Sequence, residues 1–204
     1  MTRQITLPFD WKSASDESDF ILSDANAEAV RHLEHWALWP VRASLLVGPP
    51  KSGRSHLARM FTHWSRGTVI DDAGRVDEQE IFHAWNAAHS SGKPLLIVAD
   101  AAPPAWDIKL PDLASRLKAT PVVTIGAPDE ALLAAVMTKQ FHDRGLQPSP
   151  GVIDYLIARL ERSFAAVFEA VTRLDAQSLA EHRKVTIPLA RKALGLDQTF
   201  IDES

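Results

Sequence analysis

The chain has 204 residues, of which 46% are hydrophobic and 24% charged, and this composition is typical of a folded globular protein rather than a disordered or fibrous one. Lys and Arg total 22 against 26 Asp and Glu, so the formal charge of −4 gives no overall attraction to nucleic-acid phosphates. The chain contains no cysteine, which excludes disulfides, thiolate catalysis and cysteine metal sites.

Residues 1–19 form a polar arm that is too short to build a core of its own. The first ten residues lack the apolar centre of a secretion signal, and no stretch approaches the roughly 18 apolar residues of a membrane helix. We therefore expect a cytoplasmic protein that does not bind membranes.

Residues 20–146 carry the pattern of an α/β core. A helical spacing of apolar residues runs over 25–39, after the N-cap candidates Ser23 and Asp24 and before Pro40. Short apolar runs then alternate with helical patterns, which indicates a short parallel sheet flanked by helices on both faces. The predicted strands are 43–47, 68–70, 95–99 and 121–125.

Residues 147–204 have a different character and predict a small all-α domain. Gly and Pro break the chain at 145–150, after a helix predicted over 129–141, and no convincing strand follows. The predicted helices of this domain are 150–160, 163–180 and 187–194. Thr186 is an N-cap candidate for the last of these helices, and Pro188 is tolerated because it lies in the first turn of that helix.

The segment after the first predicted strand fits a phosphate-binding loop, Gly48-x-x-x-x-Gly53-Arg54-Ser55, with Arg54 in the usual lysine position. Such glycines let backbone N–H groups surround an anion at the start of a helix, and a hydroxyl can hold Mg²⁺. An arginine fork places its charge differently from a lysine, which favours nucleotide binding over efficient hydrolysis. The predicted nucleotide-binding residues here are Gly48, Gly53, Arg54, Ser55 and His56.

Asp71 and Asp72 end the second predicted strand, where a carboxylate can orient Mg²⁺ or water. We expect Ser55 and Asp71 to hold Mg²⁺ if it binds. The alternative is that these aspartates only serve the turn that follows the strand.

Leu110-Pro111-Asp112-Leu113-Ala114-Ser115-Arg116-Leu117 resembles the arginine-finger box of the DnaA/Hda branch of the AAA+ family. The resemblance implies an AAA+ core with a helical lid domain, and it implies that Arg116 acts in trans on a nucleotide bound by a neighbouring protein, where a guanidinium stabilises charge on the γ-phosphate. The alternative is an arginine on a solvated helix face.

The same resemblance extends over most of the chain. Residues 92–100 resemble the strand that ends in the family's first sensor, so Asp100 joins the predicted nucleotide site. The 15 residues between Ser55 and Asp71 leave no room for the strand–helix unit usual in the family, which predicts a sheet of four strands. The lid arginine of the family aligns with Ala165. We therefore expect ADP or ATP as the ligand and weak or no intrinsic ATPase activity.

Gln4-Ile5-Thr6-Leu7-Pro8-Phe9 resembles the peptide by which bacterial proteins bind the sliding clamp, the beta subunit of DNA polymerase III. Gln4 supplies polar contacts, Pro8 restricts the backbone, and the apolar side chains of Ile5, Leu7 and Phe9 suit hydrophobic pockets. The alternative is an arm that packs on its own domain.

Together these resemblances imply a negative regulator of replication initiation that binds the DNA-loaded clamp and stimulates ATP hydrolysis by DnaA. We expect no direct sequence-specific DNA binding, because nothing after Leu196 could supply a helix-turn-helix domain. Self-association stays open. The alternatives are a self-sufficient phosphate-loop ATPase or kinase and a clamp-tethered adaptor with a degenerate nucleotide site.

Overall fold

One sheet of four parallel strands forms the centre of the core. A computed structural model describes residues 20–196, and the strands are β1 (Ala43–Val47), β2 (Thr68–Ile70), β3 (Leu95–Ala99) and β4 (Val122–Thr124). Their order is β2-β3-β1-β4, and all neighbours pair in parallel. The central strands β1 and β3 are buried throughout, whereas the edge strands are partly exposed. The predicted fold class and the four-strand sheet are confirmed.

Helices cover both faces of this sheet. Side chains alternate between the faces of a strand, so Leu46 packs against one helical layer and its neighbour Leu45 against the other. The first layer contains α1 (Ala27–Glu34) and α2 (Arg54–Ser65), and the second contains α3 (Glu78–Ser91) and α4 (Pro111–Ala119). Short 3₁₀ turns occupy Trp36–Leu38 and Ala73–Arg75.

The C-terminal helices share a separate hydrophobic core. It is formed by α5 (Glu130–Asp143), α6 (Val152–Ile157), α7 (Phe164–Glu181) and α8 (Ile187–Leu194). Because Met137 and Phe141 of α5 are buried in this cluster, that helix packs with the lid rather than with the sheet. The Thr186 side chain caps α8 and Pro188 lies in its first turn, so both of these predictions are confirmed.

The start of the first helix was predicted wrongly. Asn26, rather than Ser23 or Asp24, is the N-cap residue, and its side chain makes no capping bond to the helix. The Asn26 amide group instead accepts a hydrogen bond from the Ser23 backbone N–H and donates one to the Ile21 carbonyl. This side chain therefore ties down the segment that leads into α1.

Candidate functional site

The loop between β1 and α2, which the sequence predicts to bind phosphate, contains two residues with left-handed backbone angles. Gly53 has φ = 92° and Lys51 has φ = 64°, and both values lie in the left-handed region. A Cβ atom on Gly48 would lie 3.0 Å from the Ile125 side chain and 3.2 Å from the Ile125 carbonyl oxygen, so a side chain there would crowd the loop. The Ser52 hydroxyl is buried and has no hydrogen-bond partner among the described residues.

The Arg54 side chain is held by an ion pair with Asp100. Its Nη2 atom lies 2.5 Å from Asp100 Oδ1, and its side chain is 15% exposed. Asp100 follows β3, which is the neighbour of β1 in the sheet. Two of the charged residues that the sequence assigned to the nucleotide site are therefore paired with each other.

Asp71 and Asp72 lie at the end of β2, on the same edge of the sheet as the loop. The Asp71 carboxylate accepts the backbone N–H of Asp72 at 2.9 Å, and Asp72 pairs with Arg75 at 3.3 Å. Asp71 remains exposed. Carboxyl ends of parallel strands meet at one edge, and this edge is where α/β folds bind ligands.

A cleft of about 750 Å³ lies over this edge. The sequence-predicted residues that line it are Gly53, Arg54, Ser55, His56, Asp71, Asp72 and Asp100. Of the predicted nucleotide residues, Gly48 alone is not part of this lining, because it sits beneath the loop against Ile125.

A second, smaller cavity of about 130 Å³ adjoins the cleft and is more apolar in its lining side chains. Phe20 and Ile21 border it from the core, and Phe164 and Phe168 border it from α7 of the lid. Lys51, Gly53, His56 and Phe168 line both spaces. A nucleotide fits this arrangement, with loop amides and cations for the phosphates and the apolar cavity for the base.

Magnesium fits the site only together with a nucleotide. Among residues 20–196, no three His, Asp or Glu side chains come together as a metal site. Mg²⁺ commonly uses one or two protein oxygens plus phosphates. Ser55 and Asp71 are the residues here that would hold it.

Sequence reasoning missed five residues of the cleft: Pro50, Lys51, Arg59, Arg75 and Phe168. Arg59 could have been found, because it follows Ser55 by four residues and so lies on the same side of α2. Phe168 gave no local signal, since the folding of the lid brings it to the cleft. Its ring lies 5.9 Å from the Lys51 Nζ atom.

The lid has Ala165 at the position where the resemblance aligns an arginine. Ala165 is an exposed residue in the first turn of α7. Arg162 is directed elsewhere, because its Nη2 atom lies 2.5 Å from the Glu130 carboxylate at the start of α5. The lysine and arginine side chains that line the cleft are Lys51, Arg54, Arg59 and Arg75.

Arg116 lies on α4, away from the residues that line the chain's own cleft. The residue is exposed, and its guanidinium carbon lies 4.8 Å from the centre of the Trp85 ring and 5.8 Å from that of Phe82. The predicted clamp-binding residues Gln4, Ile5, Leu7, Pro8 and Phe9 lie outside the described residues. No helix within residues 20–196 is long and apolar enough to cross a membrane.

A loop after a central parallel strand, carboxylates on the same sheet edge and a helical lid bordering the cleft are features of the AAA+ fold. Domain III of the Thermotoga maritima replication initiation protein DnaA has this fold, with a TM-score of 0.74 and 16% identity over 87% of this chain and 94% of that chain. DnaA of Aquifex aeolicus bound to AMPPCP has a TM-score of 0.59 and 16% identity, covering 81% of this chain and 68% of that one.

Sequence comparisons point the same way. Residues 129–194 match the family model described as the Hda lid domain. DnaA of Thermomicrobium roseum is 30% identical over 135 residues, and an uncharacterized protein of Haemophilus influenzae is 38% identical over 133 residues. Each alignment covers 62% of this chain, but only 28% and 58% of these two relatives, respectively. The chain is therefore similar to DnaA in sequence and in fold, and its C-terminal helices match the Hda lid domain.

Proposed function

We propose that this protein is a negative regulator of chromosomal replication initiation. It binds the DNA-loaded sliding clamp through its N-terminal arm and packs against ATP-bound DnaA. It then stimulates hydrolysis of the ATP held by DnaA, which leaves an inactive ADP-bound initiator. The Hda lid match and the sequence similarity to DnaA support this function.

The observation that carries the proposal is the exposed Arg116 on α4, within the segment that resembles the arginine-finger box. An arginine placed against the γ-phosphate of a neighbouring protein stabilises the charge that develops there during hydrolysis. Arg116 is absent from the lining of the chain's own cleft, which favours an action in trans.

The chain's own nucleotide site serves binding rather than turnover in this proposal. Arg54 is paired with Asp100, and Ala165 supplies no charge to the γ-phosphate. ADP or ATP would then stabilise the form that meets the partner, and Ser55 and Asp71 would hold a Mg²⁺ ion bound with the nucleotide. These same features count against a self-sufficient ATPase or kinase.

The first test is the hydrolysis of ATP bound to DnaA, measured with DNA-loaded clamp and the full-length protein. We expect Arg116→Ala to reduce the stimulation at least about 100-fold, because arginine fingers contribute about 10³ to 10⁵ in rate. Arg173→Ala is the matched control, since Arg173 is a partly exposed arginine on α7 that pairs with Glu169. Full stimulation by Arg116→Ala would reject the finger and favour an adaptor with a degenerate site.

The second test addresses the proposed binding of the sliding clamp by the N-terminal arm. Titration of the clamp should show binding by the wild-type protein and loss of binding by the double variant Gln4→Ala/Leu7→Ala, with and without ADP. Arg116→Ala should bind the clamp like the wild type, because it leaves the arm unchanged. Equal binding by the wild type and the double variant would remove the arm from the proposal.

A further inference from the structure

Two hydrogen bonds connect the backbone of Arg116 to a buried tryptophan on the neighbouring helix. The indole Nε1–H of Trp85 donates to Thr120 Oγ1 at 3.0 Å, and the Thr120 hydroxyl donates to the Arg116 carbonyl at 2.9 Å. Trp85 is 6% exposed and Thr120 is 4% exposed. This relay therefore lies in the interior and joins α3 to the C-terminal end of α4.

The side chain of Arg116 contacts the same tryptophan. Its guanidinium carbon lies over the Trp85 ring at 4.8 Å from the ring centre, within the range of a cation–π contact. This contact uses no N–H donor of the guanidinium, so those donors stay available to phosphate oxygens. The Trp85 ring thus restricts the Arg116 side chain but leaves its N–H donors available, as an arginine finger requires.

The other end of α4 is attached to α3 as well. The Glu78 carboxylate, in the first turn of α3, accepts the backbone N–H groups of Lys109 at 3.0 Å and Leu110 at 2.6 Å. Leu113 and Leu117 of α4 are buried between these two attachments. The position of α4, and with it that of Arg116, is therefore set by α3.

We propose that Trp85 and Thr120 are positioning residues that hold Arg116 ready for the nucleotide of the partner. A long arginine side chain loses conformational freedom when it meets a phosphate, and a side chain already held over an aromatic ring loses less. Small displacements of a catalytic group are costly, and about 1 Å can reduce a rate about 100-fold. This inference rests on the proposed function, since it concerns how the guanidinium of Arg116 is positioned for the nucleotide of the partner.

The sharpest variant is Thr120→Val, which keeps the shape of the side chain and removes the hydroxyl from the relay. Thr120→Ser restores a hydroxyl, and Trp85→Leu removes the aromatic face. Trp36→Leu is the matched control, because Trp36 is a partly buried tryptophan that packs against the opposite face of the sheet. The thermal unfolding of each variant reports whether it folds.

The activity experiment measures hydrolysis of DnaA-bound ATP as a function of the concentration of each variant, with DNA-loaded clamp present. We expect the plateau to fall about tenfold for Thr120→Val and Trp85→Leu, because the arginine is misplaced after the complex has formed. The concentration that gives half of the plateau should change by less than about twofold. Thr120→Ser and Trp36→Leu should keep the wild-type plateau.

A structural readout does not depend on DnaA. The side-chain Nε–Hε signal of Arg116 in an NMR spectrum should carry a ring-current shift in the wild type and lose it in Trp85→Leu. A wild-type signal without that shift would overturn the inference even if Trp85→Leu unfolds.

The two proposals fail in different ways. If Arg116→Ala stimulates DnaA fully, the proposed finger is rejected and the positioning role falls with it. If Arg116→Ala is inactive while folded Thr120→Val and Trp85→Leu keep the wild-type plateau, only the positioning role is overturned. A loss of the plateau shared by Trp36→Leu would also overturn it, since the effect would then be one of general stability.

Discussion

Arg54 and Asp100 form an ion pair at the cleft over the sheet edge, with 2.5 Å between Nη2 and Oδ1. Arg54 begins α2 and Asp100 follows β3, so the pair joins the phosphate loop to the neighbouring strand. A nucleotide phosphate must compete with the Asp100 carboxylate for this guanidinium. Because the carboxylate is 71% exposed, water screens the pair and it can be broken at modest cost.

The first prediction concerns the affinity for ADP, measured by titration calorimetry. Asp100→Asn should tighten ADP binding a few-fold, because it releases Arg54 and removes a negative charge near the phosphates. Arg54→Ala should weaken binding about tenfold or more. Asp107→Asn is the control, since its carboxylate pairs with Lys109 outside the cleft lining. Weaker binding by Asp100→Asn would mean that Asp100 contributes to the site directly.

The second prediction separates two reasons for a glycine at position 53. An added Cβ would meet the Phe20 ring at 3.0 Å, and the residue also has φ = 92°. Gly92 has φ = 73° but open space around it. We expect Gly92→Ala to cost about 1 kcal/mol of the free energy of unfolding through backbone strain alone, and Gly53→Ala about 2 kcal/mol together with a loss of ADP binding. Urea denaturation measures both, and equal costs would show that Phe20 moves aside freely.

The third prediction concerns the attachment of α4 to α3. Glu78→Gln replaces one of the two carboxylate acceptors with an amide donor, so one of the backbone N–H groups of Lys109 and Leu110 loses its partner. We expect the free energy of unfolding to fall by about 1 kcal/mol, because hydrogen bonds to a charged acceptor are worth more than neutral ones but this carboxylate is only partly buried. Glu80→Gln, an exposed change in the same turn, should be neutral in the same urea experiment. Equal effects of the two variants would contradict the role of Glu78.

The fourth prediction concerns the pH dependence of stability. Burial lowers the pKa of His32, and the opposing attraction of Glu28 is weaker. The His32 ring stacks on Trp39 with centroids 5.2 Å apart, and its Nε2 atom lies 2.7 Å from Ser44 Oγ. In the unfolded chain the histidine has an ordinary pKa of about 6.5.

The sign follows from proton binding. As the pH falls from about 6.5 through the lower pKa of the folded state, the unfolded chain binds more protons at His32, so the free energy of unfolding decreases. His32→Gln should show a smaller difference in this free energy between about pH 7.5 and about pH 5.5 than the wild type. The exposed His35→Gln should keep the wild-type difference. An unchanged difference for His32→Gln would show that His32 has the same pKa in both states.

Most element boundaries could be predicted from the sequence. Three of the four strands agree with the predicted ranges, and β4 is shorter by one residue at each end. The start of α1 was missed, because the Asn26 side chain turns back to Ile21 and Ser23, and composition does not reveal such a direction. The residues of the cleft were largely predicted, since a phosphate loop and strand-end carboxylates are short motifs that need no distant information.

The sequence by itself determined the order of helices and strands, the chemistry of the loop and the candidate finger at Arg116, because periodicity, glycine spacing and short motifs are local properties. Only the tertiary structure decided which of these groups touch. Arg54 and Asp100 are 46 residues apart and Trp85 and Thr120 are 35 apart, yet each pair is in hydrogen-bond contact. The reason is that the strand order brings β1 beside β3, and the packing of α3 on α4 sets side-chain directions that no local pattern encodes.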